Sequence, residues 1–221
     1  MDEEMVQEVE KEETEFVNKL VQEVISGYRC FPVQDVGDLK VRFPNNDEVR
    51  LAELRYSRAF TEALKEGLLT YKEMETLLQE RGIWTEKEDQ KVRDLEKTIS
   101  LLETTLAEKK VDDKSKKTKE IAQKLSDIRA ELITISMERQ MYLANTAESK
   151  ADESRTSFLV YKCVSYAENN VPLWANEAEF LNENRSDLLV KCTTEVLTFM
   201  SGLSSTFMEN VPEAMILRED A

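Results

Sequence analysis

Two runs of apolar residues dominate the pattern of this chain. Val92, Leu95, Ile99, Leu102 and Leu106 recur in alternating steps of three and four, and so do Ile121, Leu125, Ile128, Leu132 and Ile135. That spacing is the heptad pattern of a coiled-coil seam. Taken from the outside inward, the two runs pair so that each pair of residue numbers sums to 227, from Val92 with Ile135 down to Leu106 with Ile121. A helix folded back on another gives this relation, with the bend near Asp112, Asp113 and Lys114. One layer further out, Glu88 comes within reach of an ion pair with Arg139, and Trp84 falls near Leu143.

Polar punctuation predicts the flanking elements. Residues 3–25 read as an amphipathic helix with Val6, Val9, Phe16, Leu20 and Val24 near one face and glutamates on the other, stopped at Gly27. Tyr28, Cys30, Phe31 and Val33, then the strict alternation Leu39-Lys40-Val41-Arg42-Phe43, predict two short strands around Asp35-Val36-Gly37-Asp38. Two strands alone are marginal in water, so the hairpin must pack in cis or add to a partner's sheet. Asn46 or Asp47 is set to cap a helix reaching Glu66, ended by Gly67. Thr70 with Glu73, and Thr85 with Glu88, have the spacing of capping boxes: the hydroxyl takes the amide three residues on, and the glutamate reaches back. The first opens a short helix with Met74, Leu77 and Leu78, and the second opens the first arm of the long hairpin.

The second arm starts near Ser115, and no Gly or Pro interrupts it before Pro172, so an unbroken helix toward Tyr166 is expected. After Tyr142 the apolar face widens with Phe158, Leu159, Tyr161, Cys163, Val164 and Tyr166, as for a helix entering a globular base. Asn176 predicts a cap for a helix carrying Phe180 and Leu181. Ser186 predicts another, burying Leu188, Leu189, Cys192, Val196, Leu197, Phe199 and Met200. The tail with Phe207, Met208, Val211, Met215, Ile216 and Leu217 reads as a short docking segment, in cis or on a neighbour.

The expected fold is therefore mainly α: a long antiparallel coiled-coil helical hairpin on a small helical base, with a short N-terminal β-hairpin. The domains read as an acidic arm (1–27), a β-hairpin with short helices (28–84), the coiled-coil hairpin (85–145) and a helical base with tail (146–221).

Charge narrows the function classes. The net charge of −15 opposes general nucleic-acid binding, which needs an excess of Lys and Arg to neutralise phosphates. Residues 109–124 hold seven Lys against three acids, but they surround the predicted tip, where a solvated face is the simpler reading. Residues 2–23 carry nine acids and two Lys. Such a segment either docks on a partner or packs as a solvated helix on its own body. No stretch approaches a membrane span, and the start of the chain is acidic rather than signal-like.

Candidate chemistry is thin. With no histidine, the commonest general base, the His-dependent nucleophile systems and the usual transition-metal ligand are missing. The five glycines stand apart, so no phosphate loop forms. Cys30, Cys163 and Cys192 are far apart, which favours reduced, mostly buried thiols. Glu148, Asp152 and Glu153 beside Arg155 form the one conceivable carboxylate cluster, although a surface of salt bridges is the simpler expectation. No catalytic residue, metal ligand or cofactor is assigned. Trp84 and Trp174 anchor structure by default and become binding hot spots only if exposed. The remaining candidates for partner binding are Phe16, Leu20, Phe207 and Ile216.

The stretch Phe60-Thr61-Glu62-Ala63-Leu64-Lys65-Glu66-Gly67-Leu68-Leu69-Thr70, then Arg81-Gly82-Ile83-Trp84-Thr85 and the heptads, resembles a poorly characterised coiled-coil family of tailed bacteriophages. Asn145-Thr146-Ala147-Glu148, Ala151-Asp152 and Arg155 are similar to that family's second half. The family sits among virion structural and assembly proteins. The resemblance implies a phage context and carries no catalytic or binding residues. The expected function is that of a non-enzymatic virion component or tail-assembly chaperone, made in the host cytoplasm and, as a component, carried in the virion. Its expected partners are other phage structural proteins or a second copy of itself, with neither nucleic acid nor membrane. A cytosolic coiled-coil adaptor is the alternative, followed by an enzyme that uses the carboxylates with a divalent metal.

Overall fold

The computed structural model describes residues 23, 25–107, 115–203 and 211–217. Apart from Glu23 and Ile25, the predicted helix at 3–25 lies outside them, as do the bend at 112–114 and Phe16, Leu20, Phe207 and Met208. The described residues are mainly helical, with one small antiparallel sheet. The chain divides into two compact units: Met1–Leu54 with Arg155–Ser205, and Arg55–Ser154 with Thr206–Ala221.

The first unit is built on the sheet. Strands β1 (Tyr28–Val33) and β2 (Gly37–Arg42) pair antiparallel from Tyr28 opposite Arg42 to Val33 opposite Gly37. The alternation turns Phe31, Leu39 and Val41 inward. The tight connection uses positive φ at Asp35 (62°) and Gly37 (100°). A third strand, β3 (Val164–Tyr166), pairs with the far edge of β2 and sets Val164 opposite Val41. The hairpin thus gains its third strand in cis. Beyond β3, Tyr166 N–H donates to Val171 O (2.9 Å) and Leu173 N–H to Val164 O (3.2 Å), which covers part of its outer side.

Helix α7 (Ser186–Met200) packs on β1 and β2. Its Leu188, Cys192, Val196 and Phe199 recur every three or four residues and close the core with Val160, Cys163, Leu173 and Trp174. Two details differ from expectation. Leu197 is half exposed, on the opposite side of the helix, and Ser186 is the first helical residue, after an Arg185 that makes no side-chain cap. Cys30 is exposed, because it points away from the core on β1, whereas Cys163 and Cys192 are buried.

Helix α1 (Asn46–Lys65) is capped one residue earlier than expected. Glu48 N–H donates to Asn45 Oδ1 (2.9 Å) and Asn45 N–H to Glu48 Oε2 (2.9 Å), the two halves of a capping box. Arg42 grips both oxygens of Glu48 at 2.8 Å, so β2 is tied to the helix start.

In the second unit, α2 (Tyr71–Glu80) opens on the full Thr70–Glu73 capping box. Helix α3 (Glu86–Ala107) follows Thr85, whose amide donates to Glu88 Oε2 (2.7 Å). Helix α4 (Lys116–Leu143) starts at Ser115, which caps Thr118 N–H, and packs against α3. The helix expected to run unbroken toward Tyr166 stops at Leu143. A short break at Ala144–Thr146 separates it from α5 (Ala147–Cys163). Thr146 is fully buried there: its hydroxyl donates to Leu143 O (2.7 Å) and accepts from Ser149 N–H (3.4 Å). A Thr that satisfies backbone groups on both sides is a helix end and start in one residue. The last described elements are α6 (Glu177–Leu181), capped by Asn176 as expected, and α8 (Pro212–Leu217).

Candidate interaction surfaces

The carboxylates singled out for chemistry have structural work. Glu148 Oε2 accepts the free amide of Tyr71 at the start of α2 (2.9 Å), where a negative charge is favoured. Ala147 N–H donates to Leu69 O (2.9 Å), and Tyr71 Oη lies 3.0 Å from Ser149 Oγ. Glu153 pairs with Lys150 (2.9 Å) and Arg155 with Glu53 (3.3 Å). Among the described residues no group of three or more His, Cys, Asp or Glu is placed to hold a metal ion. Leu68–Thr70 and Asn145–Glu148 thus meet at one joint. Beside it opens a cleft of about 420 Å3 lined by residues such as Glu62, Glu66, Leu68, Asn145 and Lys150.

Both tryptophans are interior. Trp84 is buried; its Nε1–H donates to Asp89 (2.8 Å), and the Arg139 guanidinium lies 5.7 Å from its ring. Arg139 therefore does not pair with Glu88, which is engaged at the Thr85 cap; it reaches Glu75 of α2 instead (2.7 Å). Trp174 is 1% exposed, meets Phe180 edge-on at 4.9 Å, and donates to Glu183 (3.2 Å). The guanidinium of Arg185 holds the Glu183 carboxyl down to about 2. In this chain neither indole offers a surface to a partner, because each is enclosed by its own unit.

The heptad residues differ in burial. Leu106 and Leu125 are buried, and Val92, Leu95, Ile99, Leu102, Ile121, Ile128, Leu132 and Ile135 are half-buried. Lys91 pairs with Glu131 (2.7 Å), and Arg129 pairs with Glu103, each linking α3 to α4. The segment α8, with half-buried Ile216, packs on α4. Glu213, buried, sits 2.6 Å from Arg129 Nε, although the approach is bent and leaves Arg129 Nε and Glu213 Oε2 without a hydrogen bond. The tail is thus docked in cis at its described end. Nothing in the sequence marked Arg129 as the residue that joins α3, α4 and α8.

A second buried charge lies in the sheet unit. Arg29, 3% exposed, donates from Nε to Glu23 (2.8 Å), from Nη2 to Leu203 O (2.6 Å) and from Nη1 to Thr198 Oγ1 (3.4 Å), and stacks 5.3 Å from the centre of Phe199. Glu195, equally buried, receives Lys191 (2.8 Å) and lies 3.9 Å from Arg29 Nη1. The alternation of β1 put Arg29 on the inward face, but its apolar neighbours gave no hint of a partner.

Large apolar side chains remain on the surface of α3 and α4. Leu101 is exposed, and Ile133, Met137 and Met141 are 42%, 63% and 75% exposed in successive turns of one helix. No helix among the described residues is long and apolar enough to cross a membrane. Comparison with protein-family models, with curated proteins and with solved structures finds no match to the chain.

Proposed function

We propose that this chain is a non-enzymatic structural or assembly protein that acts by protein–protein contacts, in the setting of a tailed bacteriophage, as a virion component or a tail-assembly chaperone. The observation that carries the contact reading is the exposed row Ile133, Met137 and Met141 on α4. Aligned large apolar side chains at the surface of a strongly charged helix mark a site that is covered in use. The working element in this reading is α3 with α4 as an antiparallel coiled-coil hairpin. Its support is the burial of the ten heptad positions relative to their neighbours and the ion pairs Lys91–Glu131 and Arg129–Glu103. The phage setting rests on the resemblance of residues 60–70, 81–85 and 145–155, two of which meet at the Leu69–Ala147 joint.

The test follows the chain during phage production in the host. Particles and assembly intermediates are separated on density gradients, and peptides of this chain are sought by mass spectrometry. Presence in mature particles supports a virion component, and presence only in intermediates supports a chaperone. Absence from both refutes the proposal.

A further inference from the structure

We infer that α4 carries a second helix-binding seam whose occupant is α4 of a second copy of this chain, running antiparallel. This deepens the reading of the chain as a contact protein and rests on it.

The first apolar run of α4, extended to Arg139, occupies positions 121, 125, 128, 132, 135 and 139. Five residues beyond each lie Ser126, Ala130, Ile133, Met137, Gln140 and Ala144. The steps are again four and three, and five residues turn an α-helix by about 140°. The second row therefore lies well round the helix from the side that faces α3. It is uncharged from end to end, although the same stretch contains Asp127, Arg129, Glu131, Glu138 and Arg139. Five of its six residues are exposed and Ser126 is half-buried; Met141 flanks the row and extends its apolar width.

The occupant follows from self-complementarity. An antiparallel pairing of this row with its own copy brings together residues whose numbers sum to 270. Ile133 then packs on Met137 of the second copy and Met137 on Ile133, Ala130 faces Gln140, and Ser126 faces Ala144. The bulky residues meet at the centre, and the smaller ones lie toward the ends. At the flanks, Asp127 comes opposite Met141 and Arg129 opposite Leu143, so no like charges meet. A chain of net charge −15 repels its copies over most of its surface, so a face that brings no like charges together is the place for them to join. Two adaptable methionines favour packing without exact preformed shape.

The experiment uses the full chain in sedimentation velocity across a concentration series. The expected result is a dimer of the 25.6 kDa chain. Met137→Glu should be monomeric with unchanged far-ultraviolet circular dichroism, while Leu101→Glu on α3 should remain dimeric. With exposed Cys30 replaced by Ser, Thr134→Cys should form an oxidised dimer, because Thr134 faces its own copy across the two-fold axis; Ala130→Cys should not. A monomer at every concentration, a dimer indifferent to Met137→Glu, or crosslinking through Ala130→Cys in place of Thr134→Cys overturns the inference. A monomeric chain that is still recovered with phage particles leaves the proposed function standing, whereas a dimer absent from particles and intermediates defeats that function alone.

Discussion

Replacing Arg29 by Met tests how the sheet unit tolerates a buried charge. Methionine keeps the unbranched stem that lies beside Phe199 and removes the guanidinium. Three hydrogen bonds go with it, of which those to Glu23 (2.8 Å) and Leu203 O (2.6 Å) are short. A bond involving a charged group contributes about 1.5–3 kcal/mol. The Glu23 bond belongs at or below the bottom of that range, since its carboxylate retains some access to water. The bond to Thr198 is long and adds little. Removing Arg29 also leaves Glu195 buried with Lys191 as its remaining cation. Breaking one side of a buried pair costs about 3–5 kcal/mol, and that is the expected loss. The assay is urea unfolding followed by the fluorescence of Trp174, which is in the core of this unit, with Trp84 replaced by Phe in every protein compared. Glu195→Gln alone should cost less, about 1–3 kcal/mol, because an amide does not carry a charge into the interior. The double variant should be more stable than the sum of the single losses predicts, by about 1–3 kcal/mol. A loss below about 1 kcal/mol for Arg29→Met, or additivity of the pair to within about 0.5 kcal/mol, would refute the account of Arg29 as a second cation acting on Glu195 beside Lys191.

Three further outcomes are expected. Burial pushes the Cys163 and Cys192 thiols up to about 12 from the usual 9.0, so a thiol reagent at pH 8 should label Cys30 quickly in the native chain and the other two only on unfolding; because the folded values are raised, the stability these thiols contribute is intact below pH 9.0 and is lost as the pH rises toward about 12. Glu183 is lowered, chiefly by Arg185, so its contribution is present above pH 4.5 and disappears as the pH falls toward about 2; Glu183→Gln should flatten the acid limb of the Trp174 fluorescence titration, and an unchanged limb would contradict the assignment. Glu213→Ala removes the ion pair that ties α8 to Arg129, which keeps Glu103, and should cost about 1–3 kcal/mol in that contact, read as faster proteolysis after residue 210 with the rest of the chain intact.

The local programme of the fold was readable because it is written in short-range chemistry. The caps at Thr70 and Asn176, the helix start near Ser115 and the strands near Tyr28 and Leu39 each depend on a few neighbouring residues, and each forms where the local sequence implies. Asn45 was missed by one position because Asn45, Asn46 and Asp47 are all competent caps, and the choice was made by Glu48, which Arg42 holds in place from β2. The break at Thr146 was missed for a similar reason. Gly and Pro are the strong stop signals, whereas Thr146 ends a helix only because Leu69 supplies an acceptor for the next amide. Strand β3 is three residues long and continues directly from α5; nothing local separates Val164-Ser165-Tyr166 from more helix, and its pairing with β2 decides the matter. The buried ions were the least legible. Arg29 and Glu195 are far apart in sequence, and neither residue type alone signals burial.

The α4 helix shows why exposure had to be known before its second face could be recognised. In the sequence, Ile133, Met137 and Met141 are explained away by proximity to Leu132 and Ile135, since a helix with a wide apolar stripe needs no second partner. Their exposure separates them from the α3-facing residues. Position 132 is half-buried and the adjacent position 133 is exposed, so the stripe is two rows rather than one. A single row of heptads is fully explained by the packing of α3 on α4. Apart from Ile133, which borders the groove between α3 and α4, the second row lies away from that contact, and exposed methionine is a poor choice for solubility where lysine or glutamate would serve. A row that neither folds the chain nor solubilises it, yet keeps the period of a helix interface through Ser126, Ala130, Ile133, Met137, Gln140 and Ala144, has a contact with another helix as its remaining physical use.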